Sequence, residues 1–144
     1  MVLTRRLVPS MIDRGRGAVV ITGSVAGRQP LPLHGVYSAT KSFDLLFGES
    51  LFVELRDQGI DVLVLEPGST ATEFQEVAGE IAHEGEPPQD VVRVALDALG
   101  RQPSVVSGWW NWLRANAATR LAPRPFVAFM ARDVVAQQTP EELR

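Results

Sequence analysis

The chain has 144 residues, of which 45% are hydrophobic, and this suits one domain that buries a core. Its formal net charge is −3, with both signs scattered along the sequence, so it lacks the basic surface by which proteins bind nucleic acid. There are no cysteines, which excludes disulfides and cysteine metal ligands, and His34 and His83 lack the spacing of metal ligands. We therefore expect no nucleic-acid partner and no metal site.

The first residues lack the apolar stretch and the small-residue cleavage site of a signal peptide. No apolar run approaches the roughly 20 residues that span a bilayer. We therefore expect a cytoplasmic protein without a membrane span.

The first predicted element is a helix over 2–13, in which Pro9 is expected to cause a kink or a new start. Ala18-Val19-Val20-Ile21 is a β-branched apolar run without alternation, which predicts a parallel strand buried on both faces. The segment 27–35 contains Pro30 and Pro32, so we expect irregular structure there.

A long helical pattern follows over 37–57, with a broad apolar arc that includes Ala39, Phe43, Leu46 and Val53. So broad an arc predicts contact with a sheet on one side and with a second subunit on the other. Gly59 is a natural stop for this helix. Val62-Leu63-Val64-Leu65 predicts a second buried strand, which ends at Pro67-Gly68.

The remaining sequence predicts a mobile lid or loop over 69–88, a helix over 89–99 closed by Gly100, and a short strand over 104–107. The tail predicts two helices that part around Pro123 and Pro125. Together these elements predict a partial α/β sheet, because three strands are fewer than the five or six that are typical of a sheet. We expect one domain over 1–144, with the sheet and long helix in 1–110 and a helical tail in 111–144.

Tyr37 and Lys41 form the central motif. Tyr37 is the only tyrosine, and Lys41 lies four residues later, so both side chains share one face of the predicted helix. A free phenol has a pKa of about 10, and a cation held nearby favours the phenolate and lowers that pKa. The pair is therefore suited to general acid/base catalysis near neutral pH.

Ser24 lies 13 positions before Tyr37, where the first strand is expected to end. Ligands of open α/β sheets bind beyond the carboxyl ends of the strands. A serine hydroxyl there is placed to hydrogen-bond a substrate carbonyl oxygen while Tyr37 protonates it.

This combination resembles the short-chain dehydrogenase/reductase family. Ser24-Val25-Ala26-Gly27 matches the Ser-x-x-Gly turn of that family, Tyr37 and Lys41 match its Tyr-x-x-x-Lys element, and 67–72 matches its Pro-Gly-x-x-x-Thr element. The order of strands and helices is similar from residue 1 to about 110. The resemblance implies a partial Rossmann-like fold, a doubly wound parallel sheet that lacks its N-terminal βαβ strands.

The resemblance also implies roles for individual residues. Tyr37 would be the general acid/base, Lys41 would assist it and bind the nicotinamide ribose, and Ser24 would polarise the substrate carbonyl. The nicotinamide carboxamide would be held by Pro67, Gly68, Thr70 and Thr72. The implied activity is hydride transfer between NAD or NADP and a carbonyl/alcohol substrate.

The family's glycine-rich phosphate loop and its catalytic asparagine are expected before residue 1, so the sequence resembles only the C-terminal, catalytic half. We expect a truncated sequence that binds a dinucleotide weakly or not at all alone. The segment 22–29 begins like a phosphate loop, but Gln29 replaces the last glycine and prolines follow, so we do not assign it that role. The substrate and the choice between NAD and NADP are not encoded in any motif that we can identify.

Several residues admit a structural role. Ser24 is also suited to a turn or helix cap, and Thr72 to a cap of the next helix. His34 lies three residues before Tyr37, near the expected substrate entrance, and we favour an exposed loop histidine over a substrate contact. We favour a solvated strand-end role for Glu66 over a role in proton transfer. Trp109, Trp110 and Trp112 favour packing against a subunit or lid over membrane-surface binding.

Two other functions compete with the oxidoreductase. One is a remnant without activity that only dimerises, through the helices predicted over 1–14 and 37–57. The other is a hydrolase using Ser24, which lacks a Gly-x-Ser-x-Gly elbow and a well-placed His–Asp pair.

Overall fold

The computed structural model describes residues 1–81 and 84–144; His83 therefore lies outside the described residues. The described residues form an α/β protein with three strands and helices on both faces of the sheet. In chain order the helices and strands are α1 (Val2–Asp13), β1 (Gly17–Thr22), α2 (Gly35–Leu55), β2 (Ile60–Glu66), α3 (Phe74–Ala78), α4 (Pro88–Ala98), β3 (Ser104–Val106), α5 (Trp109–Leu121) and α6 (Arg124–Gln138).

All strand pairings are parallel, in the order β1-β2-β3. Gly17 pairs with Ile60 and Thr22 with Leu65, so β1 and β2 end side by side. Parallel neighbours require a crossover, which α2 supplies between β1 and β2. The predicted fold class, a partial doubly wound parallel sheet, is confirmed.

The central strand β2 carries the core on both of its faces. Leu63 and Leu65 pack against α4 through Val91, Ala95 and Ala98. Ile60 and Val62 face the other way, in a cluster with buried Val8 of α1 and Leu55 of α2. Since alternate residues of a strand point to opposite faces, a strand covered on both sides is apolar throughout. The prediction of a doubly buried strand is therefore confirmed for β2.

The same prediction is wrong for β1, whose residues alternate between half-buried and exposed. Val19 packs against the cluster beside α1 and α2, whereas Val20, on the opposite face, is 44% exposed. The physical reason is position: within the described residues β1 is an edge strand, and α4 packs instead against β2 and β3.

Helix α2 lies on the sheet through Leu45 and Gly48, both buried. A Cβ on Gly48 would lie only 2.2 Å from Cγ2 of Val64, so the glycine allows the close approach of helix and strand. Phe43, Leu46 and Val53 from the predicted apolar arc are exposed by 48%, 65% and 72%. The predicted arc thus includes residues exposed to solvent as well as residues that face the sheet.

Helix boundaries follow the sequence signals closely. α1 continues through Pro9 without a new start. Gly59 and Gly100 adopt left-handed φ values of 74° and 75° just after helical segments, as expected for residues that end them. α5 and α6 part at the predicted prolines.

The described residues of 69–88 include regular structure that the predicted loop did not: α3 and a parallel bridge between Thr70 and Glu86. Trp109, Trp110 and Trp112 are exposed, and the first two rings are tilted relative to each other with their centres 4.9 Å apart. Among the described residues, no helix combines the length and the apolar character needed to cross a bilayer. The predicted cytoplasmic location and division into a 1–110 body and a tail stay predictions.

Candidate active site

The carboxyl ends of β1 and β2 bring two turns into contact. The Gly23 N–H donates to the Leu65 carbonyl at 2.8 Å, and the Val25 N–H donates to the Pro67 carbonyl at 3.1 Å. The Ser24 hydroxyl reaches the Pro67 carbonyl at 3.5 Å. Because the strands are parallel, the serine turn and the Pro67-Gly68 turn meet at the edge where ligands of such sheets bind.

Ser24 is 9% exposed and caps the short 3₁₀ turn Val25–Arg28, its Oγ accepting the Ala26 N–H at 3.1 Å. The alternative role considered for it, a turn or cap serine, is therefore confirmed. The bond to Pro67 is at the long limit for a hydroxyl donor. The hydroxyl proton thus retains freedom to be donated elsewhere.

Gly27 fixes the serine turn against α2. A Cβ at this position would lie 2.6 Å from the carbonyl carbon and oxygen of Lys41, which leaves room only for glycine. The Ser42 hydroxyl also donates a short hydrogen bond to the Gly27 carbonyl. The turn that carries Ser24 is therefore held against α2 beside Lys41.

Tyr37 and Lys41 lie one turn apart on α2, with Lys41 Nζ 6.0 Å from the centre of the Tyr37 ring. Lys41 Nζ donates to the Thr22 carbonyl at 2.7 Å and to Asp44 Oδ2 at 3.3 Å. The ammonium has three N–H donors, so these contacts leave one for a further acceptor. The Thr22 bond holds the lysine at the end of β1, the strand that Ser24 follows.

Thr70 and Thr72 follow the Pro67-Gly68 turn along the chain. The Thr70 hydroxyl donates to the Gly68 carbonyl at 3.3 Å. Thr72 is exposed, and its Oγ1 accepts the Phe74 N–H at 3.3 Å, immediately before α3. This is close to the helix cap expected of Thr72, although the residue at the cap position itself is Glu73.

The prediction that Glu66 is a solvated strand-end residue is wrong. Its side chain is 0% exposed and accepts two bonds from Arg28, from Nε at 2.6 Å and from Nη2 at 2.5 Å. Hydrogen bonding to Glu66 raises the pKa of Arg28, against the opposing effect of burial. Arg28 directly follows Gly27, and Glu66 directly precedes Pro67, so this ion pair joins the two turns.

Sequence reasoning missed the Arg28–Glu66 pair and its extension to α5, where Arg28 Nη1 donates to Asn116 Oδ1 at 3.3 Å. A usable signal existed: each turn carries one charged residue, of opposite sign, beside its glycine or proline. The sequence analysis also missed Asn111. Its side chain packs so closely on Gly68 that a Cβ on Gly68 would lie only 2.3 Å from Asn111 Nδ2.

Tyr37 lines an open cleft of about 470 Å³ between the start of α2 and the segment 74–80. The Tyr37 ring packs 5.9 Å from the Phe74 ring. His34, predicted to be an exposed loop residue, lines this cleft instead with its side chain 24% exposed, and its Nδ1 lies 3.6 Å from Glu80 Oε1. The prediction was wrong because the segment 74–80 lies across the cleft from the start of α2 and places Glu80 beside His34.

The residues at this edge fit the nicotinamide end of a dinucleotide by their donor set: one remaining Lys41 N–H, the Tyr37 hydroxyl and the threonine hydroxyls near Gly68. The segment 22–29 does not fit a pyrophosphate. A Cβ would meet Val64 at Gly23 and the Lys41 backbone at Gly27, so both glycines make room for protein atoms. Within the described residues, no three acidic or histidine side chains come together as metal ligands.

A family model described as short chain dehydrogenase matches residues 1–81 of this chain. Dehydrogenase/reductase SDR family member 7B of Xenopus tropicalis is 34% identical over 142 residues, which are 90% of this chain and 46% of that protein. The chain thus spans about half the length of this curated relative.

Two solved structures are similar to this chain. A short-chain dehydrogenase from Sphingobium yanoikuyae in complex with NADPH has a TM-score of 0.68 at 31% identity, with 80% of this chain and 46% of that one covered. A structure from work on 7beta-hydroxysteroid dehydrogenase stereoselectivity has a TM-score of 0.78 at 23% identity, covers 88% of this chain and 52% of that one, and supports the fold alone. On these matches to its sequence and fold, the chain belongs to the short-chain dehydrogenase/reductase family.

Proposed function

We propose that this chain carries the catalytic residues of an NAD(P)-dependent oxidoreductase that interconverts a carbonyl and an alcohol, with Tyr37 as general acid/base. The observation that carries the proposal is the position of Tyr37: it lines an open cleft, one turn from Lys41, beside the edge where Ser24 leaves β1. Family membership and the NADPH complex of a structural neighbour support the nicotinamide cofactor.

In the direction of reduction, the substrate carbonyl oxygen accepts hydrogen bonds from the Ser24 and Tyr37 hydroxyls. The cofactor, when bound, supplies the hydride to the carbonyl carbon. The Tyr37 hydroxyl gives its proton to the carbonyl oxygen, so an alcohol and a phenolate result. The Lys41 ammonium favours the phenolate by its charge. In the oxidation direction the same groups act in reverse, with Tyr37 accepting the alcohol proton.

Cofactor contacts are proposed for the same edge of the sheet. The remaining N–H of Lys41 would bind a ribose hydroxyl, together with the Tyr37 hydroxyl. Pro67 and Gly68 would lie against the carboxamide, with Thr70 and Thr72 donating to it or accepting from it. Charged partners make such bonds stronger than neutral ones, so Lys41 should contribute more to binding than either threonine.

The test is a steady-state kinetic assay of the protein, which measures kcat and KM with NADH or NADPH and a panel of ketones. Tyr37→Phe should lower kcat by about 10²–10⁴, the usual contribution of a general acid. Lys41→Met should lower kcat and also raise KM for the cofactor. Thr40→Ala is the matched control, since Thr40 is exposed on the same helix and bonds only to the Val36 carbonyl among described residues. Unchanged turnover in Tyr37→Phe contradicts the proposal.

A non-catalytic, dimerising role is the second candidate, favoured by the exposed apolar residues of α1 and α2, which include Leu3 at 71%, Leu7 at 51% and Leu46 at 65%. We propose that these helices join two copies of the chain. Analytical ultracentrifugation should show a dimer that Leu46→Asp dissociates. Val92→Asp, at a position on α4 that is 51% exposed, is the control and should leave the dimer intact. A monomeric wild type contradicts this role.

A further inference from the structure

The cleft beside Tyr37 is apolar over most of its wall. Leu33, Val36, Phe74 and Ala78 all line it. Phe74 and Val36 are 50% and 85% exposed, so an occupant would remove a large apolar area from water. The volume of about 470 Å³ lies within the range of small-molecule sites. Burial of apolar surface is the main source of affinity in such sites, so the wall favours an apolar molecule.

One place in the cleft is polar. His34 Nδ1 and Glu80 Oε1 face each other at 3.6 Å, with side chains that are only 24% and 15% exposed. This distance is too long for a hydrogen bond, and within residues 1–81 and 84–144 neither atom has another hydrogen-bond partner. A hydroxyl group placed between them can accept from the imidazole N–H and donate to the carboxylate.

The backbone holds this pair in a fixed relation to Tyr37. His34 is the residue that caps α2, and Tyr37 follows three positions later, which is about one helical turn. Leu33, just before His34, has a left-handed φ of 72°, a conformation that leucine rarely adopts. Such unfavourable backbone conformations cluster at ligand sites, where the surrounding structure enforces them.

We propose that the cleft selects a carbonyl or alcohol compound with a bulky apolar body that also carries a hydroxyl group on the side that faces His34 and Glu80. Phe74 and its apolar neighbours hold the body, and His34 and Glu80 bind the hydroxyl. The inference rests on the proposed function for the identity of the reacting carbon. Recognition of the apolar body and of the hydroxyl is independent of hydride transfer, so binding alone tests it.

The experiment measures binding of two ketones in the absence of cofactor. The reporter is a dialkylamino-naphthyl ketone whose fluorescence shifts to the blue in apolar surroundings. The competitors share one skeleton, a fused two-ring ketone, with or without a hydroxyl on the second ring. The hydroxylated ketone should bind at least about tenfold more tightly, as expected for a hydrogen bond to a charged group.

Variants assign this preference to the polar pair. In Glu80→Leu and His34→Leu the two ketones should bind equally, and the ketone without a hydroxyl should bind at least as well as to the wild type. Glu80→Gln should keep part of the preference, since an amide oxygen still accepts. Glu76→Leu is the control, because Glu76 is exposed on α3 and does not line the cleft. Circular dichroism checks that each variant folds.

The outcomes separate this inference from the proposed function. Equal binding of the two ketones to the wild type, no binding of either, or loss of the preference in Glu76→Leu overturns the inference. Tyr37→Phe should keep the binding preference and lose turnover. If turnover survives that change while the hydroxyl preference holds, the proposed function fails and the inferred binding specificity stands.

Discussion

Removing Arg28 should destabilise the chain more than removing any exposed arginine. Arg28→Ala deletes both donors to the Glu66 carboxylate, which is 0% exposed. Breaking a buried ion pair by removing one partner costs about 3–5 kcal/mol, since a buried charge is left uncompensated. Against a typical stability of about 5–15 kcal/mol, this is about a fifth or more of the total.

Urea unfolding followed by circular dichroism measures this effect. Arg93→Ala is the matched control: its ion pair with Asp90 is 3.2 Å long, but the side chains are 70% and 57% exposed. Exposed pairs are worth about 0–1 kcal/mol. The double variant Arg28→Met/Glu66→Met removes both charges and should regain most of the lost stability.

The direction in which the stability from the Arg28–Glu66 pair changes with pH follows from the pKa of Arg28. Hydrogen bonding to Glu66 raises the pKa of Arg28 in the folded state. The stability that comes from this shift is therefore present below the ordinary arginine pKa and is lost only as pH rises through the raised value. The difference between Arg28→Ala and Arg93→Ala should thus not weaken between neutral and moderately alkaline pH. A loss in Arg28→Ala no larger than in Arg93→Ala refutes the reasoning.

Three further changes test the packing around the site. Gly27→Ala should lower the free energy of unfolding in urea by about 1–3 kcal/mol, because its Cβ meets the Lys41 backbone. Gly35→Ala is the control and should be neutral or stabilising, because a Cβ there has nothing within 4 Å. Equal effects of the two changes would contradict the close approach at Gly27. Gly48→Ala should likewise lower the thermal midpoint through contact with Val64. Ser24→Ala should cost about 1 kcal/mol through loss of the cap to Ala26, and an unchanged midpoint would argue against that bond.

The fold was largely predictable because its signals are local. The run Val62–Leu65 is uniformly apolar, as a strand covered on both faces must be. β1 has a similar run, but its burial depends on which neighbours surround it, and the sequence does not carry that information. α3 was missed because a five-residue helix has too few positions to show a period.

The candidate site, like the fold, has features that follow from the local sequence and features that do not. Tyr37 and Lys41 share a helix face, so their proximity follows from spacing alone. The placement of Ser24 beside Pro67 required only parallel strands that end together. The Arg28–Glu66 pair and the His34–Glu80 pair join residues 38 and 46 positions apart, and such contacts depend on how the turns and α3 fold back. The sequence shows opposite charges beside the two turns, but only the structure shows that Arg28 and Glu66 pair and that His34 lies beside Glu80.

The central claim is that the Tyr37 hydroxyl transfers the proton when hydride moves between cofactor and substrate. Its most direct test is the single-turnover rate of NAD(P)H oxidation by a bound ketone in the wild type and in Tyr37→Phe, with the enzyme in excess. The account predicts a rate lower by about two to four orders of magnitude in the variant, with ketone binding retained. Rates that agree within about threefold would contradict it.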